Sequence, residues 1–136
     1  MIMPTLKVAD LDASIAFYCD VLGFTKVLSL PDADGKDAYA IVNLGDGTDI
    51  GLQVDPATYV SGKGIDLMVY VPEAVDLEVR YAEVQGKVEI TAPLETKYWG
   101  DQLFSVTDPD GYLISMCKNV QQLSPEEGMA AQAESA

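Results

Sequence analysis

No histidine occurs among the 136 residues, and that absence decides most of the chemistry open to the chain. Ser-His-Asp and Cys-His nucleophilic sites, imidazole acid–base catalysis and His-based zinc centres are excluded. Catalysis, if any, falls to carboxylates, Tyr, Lys, Cys or hydroxyls. Carboxylates are abundant: 22 Asp and Glu stand against 8 Lys and Arg, a formal charge of −14. That balance argues against nucleic acid as a partner, because phosphate binding needs clustered cations. Cys19 and Cys117 are too few for a disulfide scaffold or a Cys-rich zinc site. Cys19 reads as a structural residue on a helix, and Cys117 lacks an adjacent cation to activate its thiol. Asp32-Ala33-Asp34-Gly35 and Asp108-Pro109-Asp110-Gly111 have the acidic look of calcium loops. Both lack the third acidic position, the sixth-place glycine and the closing Glu, so they read as turns. Gly45-Asp46-Gly47-Thr48 lacks the Lys and spacing of a phosphate loop.

The elements that would position these residues follow from periodicity. The 49% hydrophobic content fits one folded domain with its own core. Residues 2–8 alternate as a strand, with Pro4 restricting pairing to one side. Asp10 is a good N-cap for a helix whose stripe is Leu11, Ile15, Tyr18 and Leu22, stopped by Gly23. Phe24 to Leu30, Ala38 to Leu44 and Asp49 to Val54 read as strands, the last two joined tightly through Gly45-Asp46-Gly47. After a polar stretch over residues 55–64 the pattern restarts. Ile65 to Val71 alternates, Pro72 to Val84 reads as a helix ended by Gly86, and Val88 to Thr91 reads as a short strand. A loop over Ala92 to Gly100 then precedes strands at Leu103 to Thr107 and Tyr112 to Cys117. Val8, Asp10 and Gly23 match Val71, Glu73 and Gly86 at one constant offset of 63, an internal repeat. The tail from Ser124 is rich in Ala, Glu and Gln and reads as flexible or helical.

Two sequence stretches resemble a known superfamily. Val8-Ala9-Asp10-Leu11-Asp12-Ala13-Ser14-Ile15-Ala16-Phe17-Tyr18 followed by Val21-Leu22-Gly23-Phe24 is similar to the first strand-helix signature of the vicinal oxygen chelate superfamily. Tyr98-Trp99-Gly100 leading to Asp108-Pro109-Asp110-Gly111-Tyr112-Leu113-Ile114 resembles its closing hairpin. That superfamily holds glyoxalase I, the extradiol dioxygenases and the bleomycin resistance proteins. The resemblance implies an α+β fold of two βαβββ modules forming an open, cup-shaped mixed sheet, paired in a homodimer. A single domain is expected over residues 1–120, with module 1 at about 1–57, module 2 at about 63–119 and a tail over 121–136. The resemblance also places the family's metal-ligand positions at Met3, Asp66, Gly51 and Ser115. Metalloenzymes of the family carry His, Glu or Gln there, so no metal and no cofactor is expected here.

Strand alternation within that fold lines the cup with Met3, Tyr39, Gln53, Asp66, Met68, Tyr70 and Ser115, joined by Trp99 from the loop before the last hairpin. Such a mixed wall suits a planar or semi-apolar organic ligand. The plainer alternative makes the methionines core filler, and Tyr39 and Tyr70 interfacial tyrosines with their hydroxyls in water. Asp66 is a candidate base if buried among apolar neighbours and an ordinary charge at a wet rim. Three functions compete. The first is a metal-independent protein sequestering an antibiotic or another planar or cationic organic molecule, like the bleomycin resistance branch. The second is a glyoxalase-, epimerase- or lyase-like enzyme using Asp66, Glu95 or a tyrosine as acid or base. The third is a scaffolding domain with a filled cup. We favour the first, with a small organic molecule as partner and the cytoplasm as location. No signal peptide or membrane-length apolar stretch is read from the sequence.

Overall fold

The computed structural model describes residues 1–45 and 47–135. The chain divides into two compact units: Met1–Leu67 with Thr107–Leu113, and Met68–Val106 with Ile114–Ala136. In the first unit β1 (Thr5–Lys7), α1 (Leu11–Ala16), β2 (Thr25–Pro31), β3 (Asp37–Asn43) and β4 (Asp49–Gln53) follow in order. The strands form a mixed sheet in the order β1-β4-β3-β2, with β1 parallel to β4 and the other pairs antiparallel. Helix α1 packs on β3 and β4 and is capped as its sequence demands, the Asp10 carboxylate accepting from Ala13 N. It continues into a wider π-helical turn over Phe17–Val21, in which Leu22 N bonds to Phe17 O. Phe17, Tyr18 and Leu22 are buried with Leu11 and Ser14, whereas Ile15 is half-buried. Gly23, at a φ of 82°, ends the helix in the left-handed conformation expected of it. Asp46, inside the expected Gly45–Gly47 hairpin turn, lies outside the described residues.

The second sheet repeats this strand order. Strands β5 (Asp66–Tyr70), β6 (Ala92–Thr96), β7 (Asp101–Thr107) and β8 (Leu113–Asn119) lie in the order β5-β8-β7-β6. The repeat extends to single bonds: Val8 N donates to Gln53 O, and Val71 N donates to Cys117 O. Tyr18 and Tyr81 stand 63 residues apart, on α1's π turn and on α2 (Leu77–Gln85). Tyr81 packs against Phe104 of β7 at 5.1 Å between ring centroids.

Two elements differ from expectation. Helix α2 begins at Leu77, because the Asp76 side chain caps both Glu78 N and Val79 N. Pro72 and Val75 instead close a separate turn, so Asp76 and not Glu73 is the counterpart of Asp10. The expected strand at Val88–Thr91 is replaced by β6 in the supposed loop. Val88 N still bonds to Val84 O at the helix end, and Pro93 is accommodated by a bulge between Ala92 and Glu95 on the edge strand. Beyond β8, α3 (Pro125–Ser135) opens with a capping box: Glu127 N donates to Ser124 Oγ, and Ser124 N to the Glu127 carboxylate. Among the described residues no helix is long and apolar enough to cross a membrane.

Candidate functional site

In the first sheet, alternation buries Leu6, Ala40, Val42, Ile50 and Leu52 on the face under α1. The opposite face carries Thr5, Lys7, Tyr39, Ile41, Gly51 and Gln53, since directly paired residues share a face. Lys7 Nζ donates to Gln53 Oε1 and lies 3.4 Å from an Asp55 carboxylate oxygen. Gly51 is covered by its neighbours. A Cβ there would stand 2.8 Å from Thr5 Oγ1 and 2.9 Å from the Tyr39 hydroxyl. The Tyr39 phenol therefore occupies the space a side chain at position 51 would need. Met3, just ahead of β1, is half-buried.

In the second sheet the polar centre is Asp101, the first residue of β7, only 5% exposed. Its Oδ2 accepts from the Tyr70 hydroxyl at 2.6 Å and from Trp99 Nε1 at 3.1 Å, and its Oδ1 accepts from Asn119 Nδ2 at 3.0 Å. Burial alone would raise its pKa, but the bonds from Tyr70, Asn119 and Trp99 together outweigh it and hold the carboxyl below its usual value. The same bond, with burial, pushes the Tyr70 phenol up to about 12. A carboxyl depressed on folding stabilises the fold above its unfolded pKa, near 4, and loses that contribution as the pH falls through its folded value. The stability advantage of the native chain over Asp101→Asn is thus expected to be full at neutral pH and to shrink below about pH 4. Urea melts at neutral and acidic pH check this, and an undiminished difference in acid would refute it.

The expected site residues fall into separate groups. Tyr39 and Gln53 are direct cross-strand partners on the first sheet. Met68 and Tyr70 lie on β5, and Trp99 lies in the turn between β6 and β7, not in a long loop. Ser115, on β8, is 2% exposed, with its hydroxyl 2.8 Å from that of Ser105. The Tyr70 hydroxyl is bound to Asp101 rather than left to water. Asp66 is exposed at the start of β5, as at a wet rim. Glu95 is exposed on β6 and ion-paired with Lys97. Sequence reasoning missed Asp101 and Asn119. The available signal was the strand parity that aligns Asp101 with Leu103 and Ser105.

The positions at which the family resemblance places metal ligands do not fit a divalent cation. They supply a thioether at Met3, an exposed carboxylate at Asp66, no side chain at Gly51 and a hydroxyl at Ser115 already bonded to Ser105. Among the described residues, no group of three His, Cys, Asp or Glu side chains gathers as a metal-binding set.

Residues 2–116 match the model of the Glyoxalase/Bleomycin resistance protein/Dioxygenase superfamily. The chain belongs to that superfamily. It is 26% identical over 135 residues to a bleomycin resistance protein of Geobacillus stearothermophilus, covering 88% of this chain and 96% of that one. It is 27% identical over 128 residues to a probable lactoylglutathione lyase of Vibrio cholerae serotype O1, covering 90% and 93%. The crystal structure of TioX from Micromonospora sp. ML1 shares the superfamily fold, with a TM-score of 0.69 at 23% identity over 88% of this chain and 98% of TioX.

Proposed function

We propose that this protein binds and sequesters a small organic molecule, an antibiotic or another planar or cationic compound, without a metal and without turning it over. The observation that carries this reading is the inverted placement of Tyr70 and Trp99. Their polar atoms are tied to buried Asp101 while the residues stand 49% and 41% exposed, next to exposed Met68 on the same strand as Tyr70. Rings offered to solvent beside an adaptable methionine make a contact surface for a flat ligand. For the first unit, taken by itself, we propose Tyr39 and Gln53, which are cross-strand partners, together with Met3 and Asp66 as ligand contacts. The misfit at the metal positions supports metal independence, the −14 charge favours a cation, and the bleomycin resistance relative points to the same class of ligand. We further propose a homodimer, checked by sedimentation equilibrium.

Thermal melts with metal-free bleomycin in the presence of a chelator test the reading. The midpoint is expected to rise with ligand concentration, by mass action. A flat response to bleomycin, and to a simple planar organic cation and its neutral counterpart as well, would overturn binding of this class. The lyase relative motivates the alternative of a glyoxalase-like enzyme. Metal-dependent isomerisation of a glutathione hemithioacetal would replace the binding reading with that one.

A further inference from the structure

The inference rests on the binding reading and concerns what the Asp101 cluster does for it. Tyrosine and tryptophan ordinarily bury the ring and turn the polar atom to water. Tyr70 and Trp99 do the reverse, because one carboxylate oxygen receives both the phenol O–H and the indole N–H. The second oxygen is held by Asn119, so the carboxylate cannot rotate without breaking a bond. Three donors on one buried anion fix both rings through their far ends. A phenol or indole that donates to a carboxylate also gains electron density on its ring. The face presented to solvent becomes a better partner for a cation. Tyr98 packs against Trp99 with the ring planes at 89° and 5.0 Å between centroids.

We infer that Asp101 is a positioning residue that sets ligand class, holding Tyr70 and Trp99 as a platform selective for planar organic cations over neutral molecules of the same shape. The carboxylate does not touch the ligand; it acts through the two rings. Lys97, just after β6, pairs with Glu95, and the three side-chain donors on Asp101 are all neutral groups.

Trp99 is the only tryptophan, so its fluorescence reads the site directly. The probes are N-methylquinolinium, a planar cation, and quinoline, its neutral counterpart, both titrated at neutral pH against Trp99 emission. The cation is expected to bind about tenfold more tightly than quinoline. Asp101→Asn loosens both rings and should weaken quinoline as well, but it should weaken the cation several-fold more, so that most of the preference is lost. Tyr70→Phe, which keeps the carboxylate and deletes one donor, should lose part of the preference and serves as the variant of record if Asp101→Asn fails to fold. In the native protein, emission should also step in the acid range as Asp101 takes a proton, and that step should vanish in Asp101→Asn. Equal affinity for the two probes, or a preference that survives both substitutions, overturns the inference. Failure of both probes while bleomycin still binds overturns this inference alone; failure of all three ligands overturns the binding reading as well.

Discussion

Asp108→Ala is expected to cost about 3–5 kcal/mol of stability and to lower the melting midpoint by on the order of 10 °C. Asp108 looks like part of a surface turn in the sequence, yet it is 4% exposed. Its Oδ1 accepts from Asp110 N and Tyr112 N, both at 2.9 Å, and its Oδ2 accepts from the Tyr18 hydroxyl at 2.7 Å. The substitution strands three donors at once, and each unsatisfied buried group costs about 1–3 kcal/mol. Asp110 continues the network, receiving Ala9 N, the Ser14 hydroxyl and the Tyr59 hydroxyl. The acidic turn is thus a clamp on α1 and on the chain following β1. Burial raises the Asp108 carboxyl above its usual value, against the opposing pull of its hydrogen bonds. A carboxyl raised on folding binds its proton more tightly in the folded state, so the native chain gains stability as the pH falls from its folded pKa toward its unfolded value near 4. The penalty of Asp108→Ala should therefore grow over that window, opposite in sign to the trend for Asp101→Asn. Denaturant melts across the range test both. A penalty below about 1 kcal/mol would mean that the turn is merely solvated.

That clamp marks the boundary of what the sequence reveals. The strands were legible because alternation and the 63-residue repeat reinforce each other, and α1 because Asp10 stands directly before its apolar stripe. Helix α2 misled because Pro72 and Glu73 satisfy the composition rules for a helix start, while the choice among start sites is made by the side chain that reaches two free N–H groups, which is Asp76. Strand β6 was hidden by Pro93, a residue that only an edge bulge excuses. The ring-bearing residues Tyr70 and Trp99 could be singled out by type and parity. Their convergence on Asp101 could not, because it joins residues 31 and 2 positions away through a turn whose geometry is tertiary. The clamp did leave a trace. Ser14 and Tyr18, four apart on a helix, put two hydroxyls into its buried face, and buried hydroxyls demand partners.

Gly100→Ala is expected to be the most damaging single-methyl change near the candidate site, costing about 3 kcal/mol or more. Two effects add there. Gly100 has a φ of +98°, where an L side chain is strained, and its Cβ would stand 1.9 Å from the backbone oxygen of Gln121. Backbone cannot step aside as a side-chain tip can, and this stretch is pinned: Val120 N and Gln121 N both donate to Gly100 O, and Gly100 N donates to Lys97 O. Gly35→Ala separates strain from collision. Gly35 has a φ of +81° with nothing within 4 Å of the added carbon, so its penalty should stay near about 1 kcal/mol. The excess at Gly100 measures the collision, and equal penalties would refute it. The consequence for binding follows from position in the chain. Gly100 lies between Trp99 and Asp101, so relieving the clash swings the turn and draws both residues away from Tyr70 and Asn119. At temperatures where Gly100→Ala remains folded by circular dichroism, Trp99 emission should already differ from the native protein and the melting shift with bleomycin should be lost. Gly35→Ala should retain both. A folded Gly100→Ala chain with native emission and an undiminished ligand shift would show that the turn does not set the platform, and that the Asp101 bonds survive without it.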